Sequence, residues 1–163
     1  MIEIIDKPCL IEGVTLTNLN QFPDERGAVM HMLRSDAPEF TRFGECYFSE
    51  VFPGVVKAWK RHNSQTQNLA VPVGRARIVI YDERENSTTQ GHLQVIELGR
   101  PHAYSRLRIP PGLWYGFAGL SPVPALLVNC TDIPHAPNES EGRPINHPAI
   151  PYQWELLTIG LNE

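Results

Sequence analysis

The sequence has no long run of apolar residues and no block of like charge. A membrane-spanning helix needs roughly 20 consecutive apolar residues, and the apolar stretches of this chain are short and interrupted. The N-terminus, MIEIIDKP, carries acidic residues in place of the basic and apolar regions of a signal peptide. The formal net charge is -4, and the basic residues are too scattered to form a patch for nucleic acid. We therefore expect a soluble, cytoplasmic protein that binds neither a membrane nor nucleic acid.

Cysteine is also scarce. Cys9, Cys46 and Cys130 are an odd number at wide spacings, and none belongs to a CxxC motif. This pattern predicts reduced thiols that pack as small apolar side chains, and it argues against a disulfide framework. A thiolate zinc site is not expected either.

Prolines and glycines interrupt the chain so often that most segments are too short for a stable helix. The clearest helical candidate is SDAPEFTRFG, in which Ser35 or Asp36 would cap a single turn. Segments rich in β-branched and aromatic residues predict at least seven strands, and therefore an all-β sandwich or barrel. They are GVTLTNLN, ECYFSEVF, GVVKAWKRH, RARIVIYD, HLQVIELG, YSRLRIPP and ALLVNCTD.

The length of 163 residues predicts one domain with a substantial core. Residues 138–163 are rich in proline and polar residues. They are expected to form a C-terminal segment that wraps the domain, either as an ordered coil or as one more edge strand.

The stretch GVVKAWKRHNSQTQNLAVPVG, residues 54–74, has the spacing of a metal-binding cupin box with exchanged ligands. Lys60, His62 and Gln67 stand at the ligand positions, and Tyr115 in RIPPGLWYGF stands at the histidine position of a second box. Only His62 is a usual ligand, because the lone pair of a lysine is occupied by a proton at neutral pH. We predict no bound metal and no cofactor.

Alternation along a strand places Lys60 and His62 on one face and Lys57 and Trp59 on the other. A KRH triplet is usually a solvated strand end, but its position within the cupin spacing favours a site. His135, between two prolines, is a candidate acid or base if it faces the barrel mouth, and is otherwise a solvated loop residue. Arg26 in DERG is a candidate phosphate ligand or a charged hairpin tip.

Six ordered motifs together resemble the dTDP-4-dehydrorhamnose 3,5-epimerase family of cupins over about residues 15–155. They are DERG, GVVKAW, Asp82 with Arg84 and Ser87, IPPGLWYGF, CTD and NHPAIPYQW. The resemblance implies a double-stranded β-helix, or jelly roll, that is usually a homodimer. It also implies metal-free binding of a nucleotide-linked 4-keto-6-deoxy sugar.

The resemblance also implies that the catalytic groups have been exchanged. The proton-abstracting histidine of the family falls on Lys60, and an arginine three residues earlier falls on Lys57. The nearest counterpart of the family's acid, a loop tyrosine, is His135. The aspartate that partners the family's base has no counterpart, and Tyr47 stands where the family often has asparagine. One branch of the family, with GVVKAWHxHxxQTxN, differs from this strand in the first histidine.

The roles of these residues stay open at this level. Lys60 acts as the base only in its neutral form, which is on the order of 1 in 10³ molecules at pH 7 for an unperturbed lysine. Alternatively, charged Lys60 stabilises the enolate or the diphosphate while His62 or His135 moves protons. We predict Lys60, His62 and His135 as catalytic residues. The predicted substrate contacts are Arg26, Lys57, Gln67 and Tyr115.

The predicted function is epimerisation at C3, C5 or both of a nucleotide-linked 4-keto-6-deoxy sugar, in deoxysugar or polysaccharide biosynthesis. One alternative is a catalytically silent cupin that binds a nucleotide sugar or glycan as a sensor or assembly partner. Another is a related keto-sugar isomerase that uses the same pocket.

Overall fold

The computed structural model describes residues 11–155, and all regular secondary structure in that range is β-strand. The strands are β1 Thr15–Asn18, β2 Gln21–Asp24, β3 Gly27–Met30, β4 Glu45–Val51, β5 Val56–His62, β6 Gln67–Val73, β7 Arg75–Tyr81, β8 Leu93–Gly99, β9 Ser105–Ile109, β10 Trp114–Gly119, β11 Ala125–Thr131 and β12 Ser140–Gly142. Between residues 11 and 155 the structure has no helix long and apolar enough to cross a membrane.

The strands form two five-stranded antiparallel sheets and a separate hairpin. The first sheet has the order β1-β9-β6-β11-β4, the second has the order β12-β5-β10-β7-β8, and the hairpin pairs β2 with β3. Neighbours in each sheet are mostly distant in sequence, as expected when strands cross between two packed sheets. The predicted all-β jelly-roll fold is confirmed.

Alternation of side chains along the strands builds the core between the sheets. Leu107 and Leu127 of the first sheet and Ile78 and Ile80 of the second are completely buried in one apolar cluster. Burial of such an aliphatic side chain contributes about 1.5–3 kcal/mol to stability. At the end of the sandwich formed by β4, β11, β5 and β10, the two inner faces stay apart and enclose a cavity.

A β-bulge in β5 decides which side chains face that cavity. Lys60 pairs with Tyr115 and Lys57 pairs with Phe117, so Ala58 and Trp59 together oppose Gly116. The bulge places Lys57 on the same face as Lys60, and the predicted position of Lys57 on the opposite face is wrong. A Cβ added to Gly116 would lie 2.4 Å from Cβ of Ala58, so the bulge requires glycine here.

The C-terminal segment lies against the outer face of the second sheet. Indole Nε1 of Trp59 donates a hydrogen bond to the carbonyl of Ile145 (3.1 Å), and the Trp59 ring packs against Tyr152 and Trp154. Strand β12 pairs with β5 and extends the second sheet. Residues 156–163 of the predicted wrapping segment lie outside the described range.

Two smaller predictions fail. Residues 35–39 form turns and residues 40–44 have no regular structure; the Asp36 carboxylate accepts from Arg34 (2.6 and 2.7 Å) and caps no helix, and Pro38 has no backbone N–H. Cys46 and Cys130 are neighbours across β4 and β11, with their sulfur atoms 3.2 Å apart, but Cys46 is exposed and does not pack as an apolar residue. Cys9 lies outside the described residues.

Candidate active site

The cavity between the sheets has a volume of about 480 Å³, within the range of small-molecule sites. Its walls are largely apolar, with contributions from Leu69, Leu127 and Phe117. Polar and charged side chains line both walls as well, among them Tyr47 and Asn129 from the first sheet. This arrangement suits a ligand that has both apolar surface and polar groups.

The wall from the second sheet carries two lysines and, from β12, the carboxylate of Glu141. Lys57 and Lys60 both line the cavity, as do their cross-strand partners Phe117 and Tyr115. Nζ of Lys57 donates a hydrogen bond to the carbonyl of Glu50. Two ammonium groups beside apolar side chains stabilise negative charge on a bound ligand.

The wall from the first sheet presents a phenol and an amide. Tyr47 and Asn129 line the cavity, and Nδ2 of Asn129 donates to the Tyr47 hydroxyl (2.9 Å). The same Nδ2 donates to Oε1 of Gln67 (2.5 Å). Gln67, a predicted substrate contact, is buried behind Asn129 and supports this wall from within.

His62 lies behind Tyr115 and does not line the cavity. Its Nε2 is 3.4 Å from the Tyr115 hydroxyl, and the imidazole is 4% exposed. Burial lowers the pKa of His62 to about 4, helped by the charge of Lys60 and opposed by Glu139. The imidazole is therefore neutral at physiological pH and is available as a hydrogen-bond acceptor for Tyr115.

Glu139 is a buried carboxylate that sequence reasoning missed. Its Oε1 is 3.7 Å from Nδ1 of His62, too far for a direct hydrogen bond. Burial raises the pKa of Glu139, but the backbone N–H groups of Ser64 and Gln65 outweigh burial and leave the pKa lowered. The carboxylate of Glu139 is therefore charged, and it lies beside His62. It is a different residue from the aspartate that partners the family's base.

Two further predicted site residues lie apart from the cavity walls. Arg26 stands at the tip of the β2–β3 hairpin, where its side chain is 82% exposed and pairs with Asp24 (2.6 Å). His135 is exposed in the connection between β11 and β12, close enough to help lower the pKa of His62. Neither lines the cavity of its own chain.

The motif with Asp82, Arg84 and Ser87 closes a loop at the far end of β7. Arg84 contacts both carboxylate oxygens of Asp82, and the Ser87 hydroxyl donates to one of them (2.6 Å). Burial raises the pKa of Asp82, but these hydrogen bonds dominate and lower it. The motif explains the order of the loop and lies outside the cavity lining.

No cluster of three or more His, Cys, Asp or Glu side chains is placed to hold a metal ion between residues 11 and 155. His62 has one carboxylate beside it, from Glu139.

Comparison with known proteins identifies the family. The family model described as dTDP-4-dehydrorhamnose 3,5-epimerase matches residues 8–162. A dTDP sugar isomerase from Desulfovibrio desulfuricans G20 is 55% identical, with a TM-score of 0.88 over 90% of this chain and 95% of that chain.

Two curated relatives are similar as well. The probable low-salt glycan biosynthesis epimerase Agl13 of Haloferax volcanii is 39% identical over 121 residues, which are 73% of this chain and 77% of the relative. The spore coat polysaccharide biosynthesis protein SpsL of Bacillus subtilis is 31% identical over 153 residues, 94% of this chain and 96% of the relative. The chain belongs to the dTDP-4-dehydrorhamnose 3,5-epimerase family.

Proposed function

We propose that this protein epimerises a nucleotide-linked 4-keto-6-deoxy sugar at C3, C5 or both. The observation that carries the proposal is the position of Lys60, which lines a cavity large enough for a hexose. By the resemblance described above, Lys60 occupies the position of the family's proton-abstracting histidine. The names of Agl13 and SpsL further support a role in glycan or polysaccharide biosynthesis.

The proposed reaction begins with removal of a proton beside the ketone. After the ammonium of Lys60 has passed a proton to water, its neutral amine accepts the proton beside the ketone, the electrons of the C–H bond form the enolate double bond, and the ketone oxygen becomes an anion. The resulting ammonium and Lys57 stabilise that anion from one wall. Return of a proton to the opposite face of the carbon gives the epimer.

His62 and Tyr115 are proposed to hold the wall around Lys60. In the tautomer that carries its proton on Nδ1, the neutral imidazole accepts from the Tyr115 hydroxyl, and Tyr115 is the cross-strand partner of Lys60. We therefore assign His62 a positioning role, with Tyr115 as the group that contacts the substrate. The exposure of His135 favours a role at the rim of the site instead of at the reacting carbon.

We also propose that the protein is a cytoplasmic homodimer. Phe22 and Val29 are exposed on the β2–β3 hairpin, and Phe48 is exposed on β4, the edge strand of the first sheet. Burial of such side chains against a second copy favours association. Arg26 lies away from its own cavity, so its proposed phosphate contact is made in the cavity of the partner. Free thiols at Cys46 and Cys130 suit a reducing compartment.

Incubation with dTDP-4-keto-6-deoxyglucose in D₂O tests the proposed function. NMR of the sugar is expected to show deuterium at C3, C5 or both, together with the epimerised product. Exchange at one carbon identifies a monoepimerase. Tight binding without exchange contradicts the proposal and favours the catalytically silent cupin, and migration of the ketone favours the isomerase.

A further inference from the structure

Tyr47 projects from β4 into the wall of the cavity that faces the two lysines. We propose that Tyr47 is the proton donor that completes epimerisation, acting on the face of the sugar opposite Lys60. This role rests on the proposed function. It assigns the acid to a strand residue of the first sheet, and not to the loop after β11 where His135 was expected to act.

The hydrogen bonds around Tyr47 use its hydroxyl oxygen as an acceptor and leave its proton available. The backbone N–H of Asn68 donates to Oδ1 of Asn129 (3.1 Å), which fixes the orientation of that amide. Nδ2 of Asn129 therefore has to point toward Tyr47 and Gln67, and it donates to both. Because the Tyr47 oxygen accepts from Asn129, its own proton stays available for an acceptor in the cavity.

The protonation state of Tyr47 agrees with a donor. Burial raises the pKa of Tyr47, a hydrogen bond from Asn129 opposes this effect, and the charge of Glu45 adds to it. With the pKa of Tyr47 raised, the phenol carries its proton at neutral pH. The amide of Asn129 then stabilises the phenolate that forms after transfer.

The position of Tyr47 distinguishes it from the other tyrosine of the cavity. Tyr115 belongs to the second sheet and is the direct cross-strand partner of Lys60, so both approach a bound sugar from the same side. The Tyr115 hydroxyl also has its own partner in Nε2 of His62. Tyr47 belongs to the first sheet, and a sugar between the sheets therefore has Lys60 on one face and Tyr47 on the other.

The proton balance closes over one turnover. Lys60 takes a proton from the carbon beside the ketone, and the enolate carbon takes the Tyr47 hydroxyl proton on its other face as the ketone re-forms. This leaves an ammonium and a phenolate. Water at the open side of the cavity removes one proton from Lys60 and supplies one to Tyr47, which restores the starting state.

Tyr47→Phe tests this role because it removes only the hydroxyl. In D₂O the unsubstituted protein is expected to produce deuterated epimer. In the variant, Lys60 still removes the proton and returns a deuteron to the same face. Deuterium wash-in to the recovered substrate should therefore stay within about threefold of the rate for the unsubstituted protein, while epimer formation falls by about 10²–10⁴-fold. Tyr81→Phe, which alters a side chain on the outer face of the second sheet, should leave both rates unchanged.

Each other outcome has a defined meaning. Epimer formation by Tyr47→Phe within tenfold of the unsubstituted protein overturns the role of Tyr47. Loss of wash-in together with epimer formation, with dTDP-sugar binding retained, also overturns it, because Tyr47 would then be needed for proton removal. No wash-in by the unsubstituted protein overturns the proposed function itself, and the role of Tyr47 with it.

A second measurement remains decisive if Tyr47→Phe folds poorly. Incorporation of 3,5-difluorotyrosine at position 47 keeps the hydroxyl and makes the phenol more acidic. The alkaline limb of the pH profile for epimer formation should then move to lower pH, while the profile for wash-in stays in place. An unmoved alkaline limb overturns the role of Tyr47 as the proton donor.

Discussion

Lys57 and Lys60 face the same cavity although three positions separate them along one strand. Regular alternation would place them on opposite faces. The bulge, in which Ala58 and Trp59 together oppose Gly116, adds one residue and turns Lys57 inward. The placement of both lysines at the cavity is therefore a product of local strand geometry.

Lys57→Met is expected to slow epimerisation by about 10²-fold, because loss of one preorganised charge at a developing oxyanion typically costs 10²–10³ in kcat. Deuterium wash-in should fall by the same factor, since epimerisation and wash-in pass through the same enolate, which Lys57 stabilises. Lys57→Arg, which keeps the charge, is the matched control and should retain most of the rate. Equal rates for Lys57→Met and the unsubstituted protein would exclude this role.

Gly116→Ala should disrupt the bulge. The new Cβ would lie 2.4 Å from Cβ of Ala58. Such overpacking typically lowers the free energy of unfolding by about 1–3 kcal/mol. Gly142→Ala is the control, because the nearest atom to its added Cβ is 3.7 Å away, an ordinary contact. Urea unfolding measures both changes in the free energy of unfolding. Equal stability of the two variants would contradict the described bulge.

His62 predicts a pH dependence of stability between pH 4 and 6.5. Because its pKa is lowered to about 4 in the folded state, the unfolded chain binds more protons in this window, and stability falls as the pH falls. The full effect is about 3 kcal/mol, at about 1.4 kcal/mol per pKa unit. His62→Gln should flatten the dependence measured by urea unfolding from pH 7 to 5. His102→Gln, an exposed control, should leave it steep.

Arg26 is predicted to act across the subunit interface. Arg26→Ala should weaken substrate binding by about 10–100-fold, the loss expected for a charge-assisted hydrogen bond of roughly 1.5–3 kcal/mol. Mixed dimers of Arg26→Ala and Lys60→Met chains decide the geometry. One intact site per mixed dimer should restore activity if Arg26 serves the partner's cavity. Mixed dimers with no restored activity would contradict the proposal.

The strands that alternate regularly could be predicted from the sequence. In β8 and β11 buried and less buried positions alternate, and both strands were expected. Strand β6 was missed because it begins with polar Gln67 and Asn68 and contains Pro72. Both side chains are buried with partners on β11, distant in sequence: Nδ2 of Asn68 donates to the carbonyl of Cys130, and Oε1 of Gln67 accepts from Asn129.

The candidate site could be predicted only where it depends on spacing. The positions of Lys60 and Tyr115 follow from the cupin spacing, and the structure places both on the cavity. Glu139 and Tyr47 could not be assigned, because their neighbours His62 and Asn129 are 77 and 82 positions away along the chain. Arg26 and His135 carry the right chemistry but lie on exposed segments, which motif matching alone does not detect.

Deuterium wash-in by Lys60→Met tests the central claim most directly. Methionine keeps an unbranched apolar side chain and removes the amine, so most of the space that the Lys60 side chain occupies stays filled. With dTDP-4-keto-6-deoxyglucose in D₂O, the unsubstituted protein is expected to incorporate deuterium at C3, C5 or both. The variant should bind the sugar nucleotide and incorporate none above the rate in buffer. Wash-in by Lys60→Met at the unsubstituted rate would contradict Lys60 as the group that removes the proton.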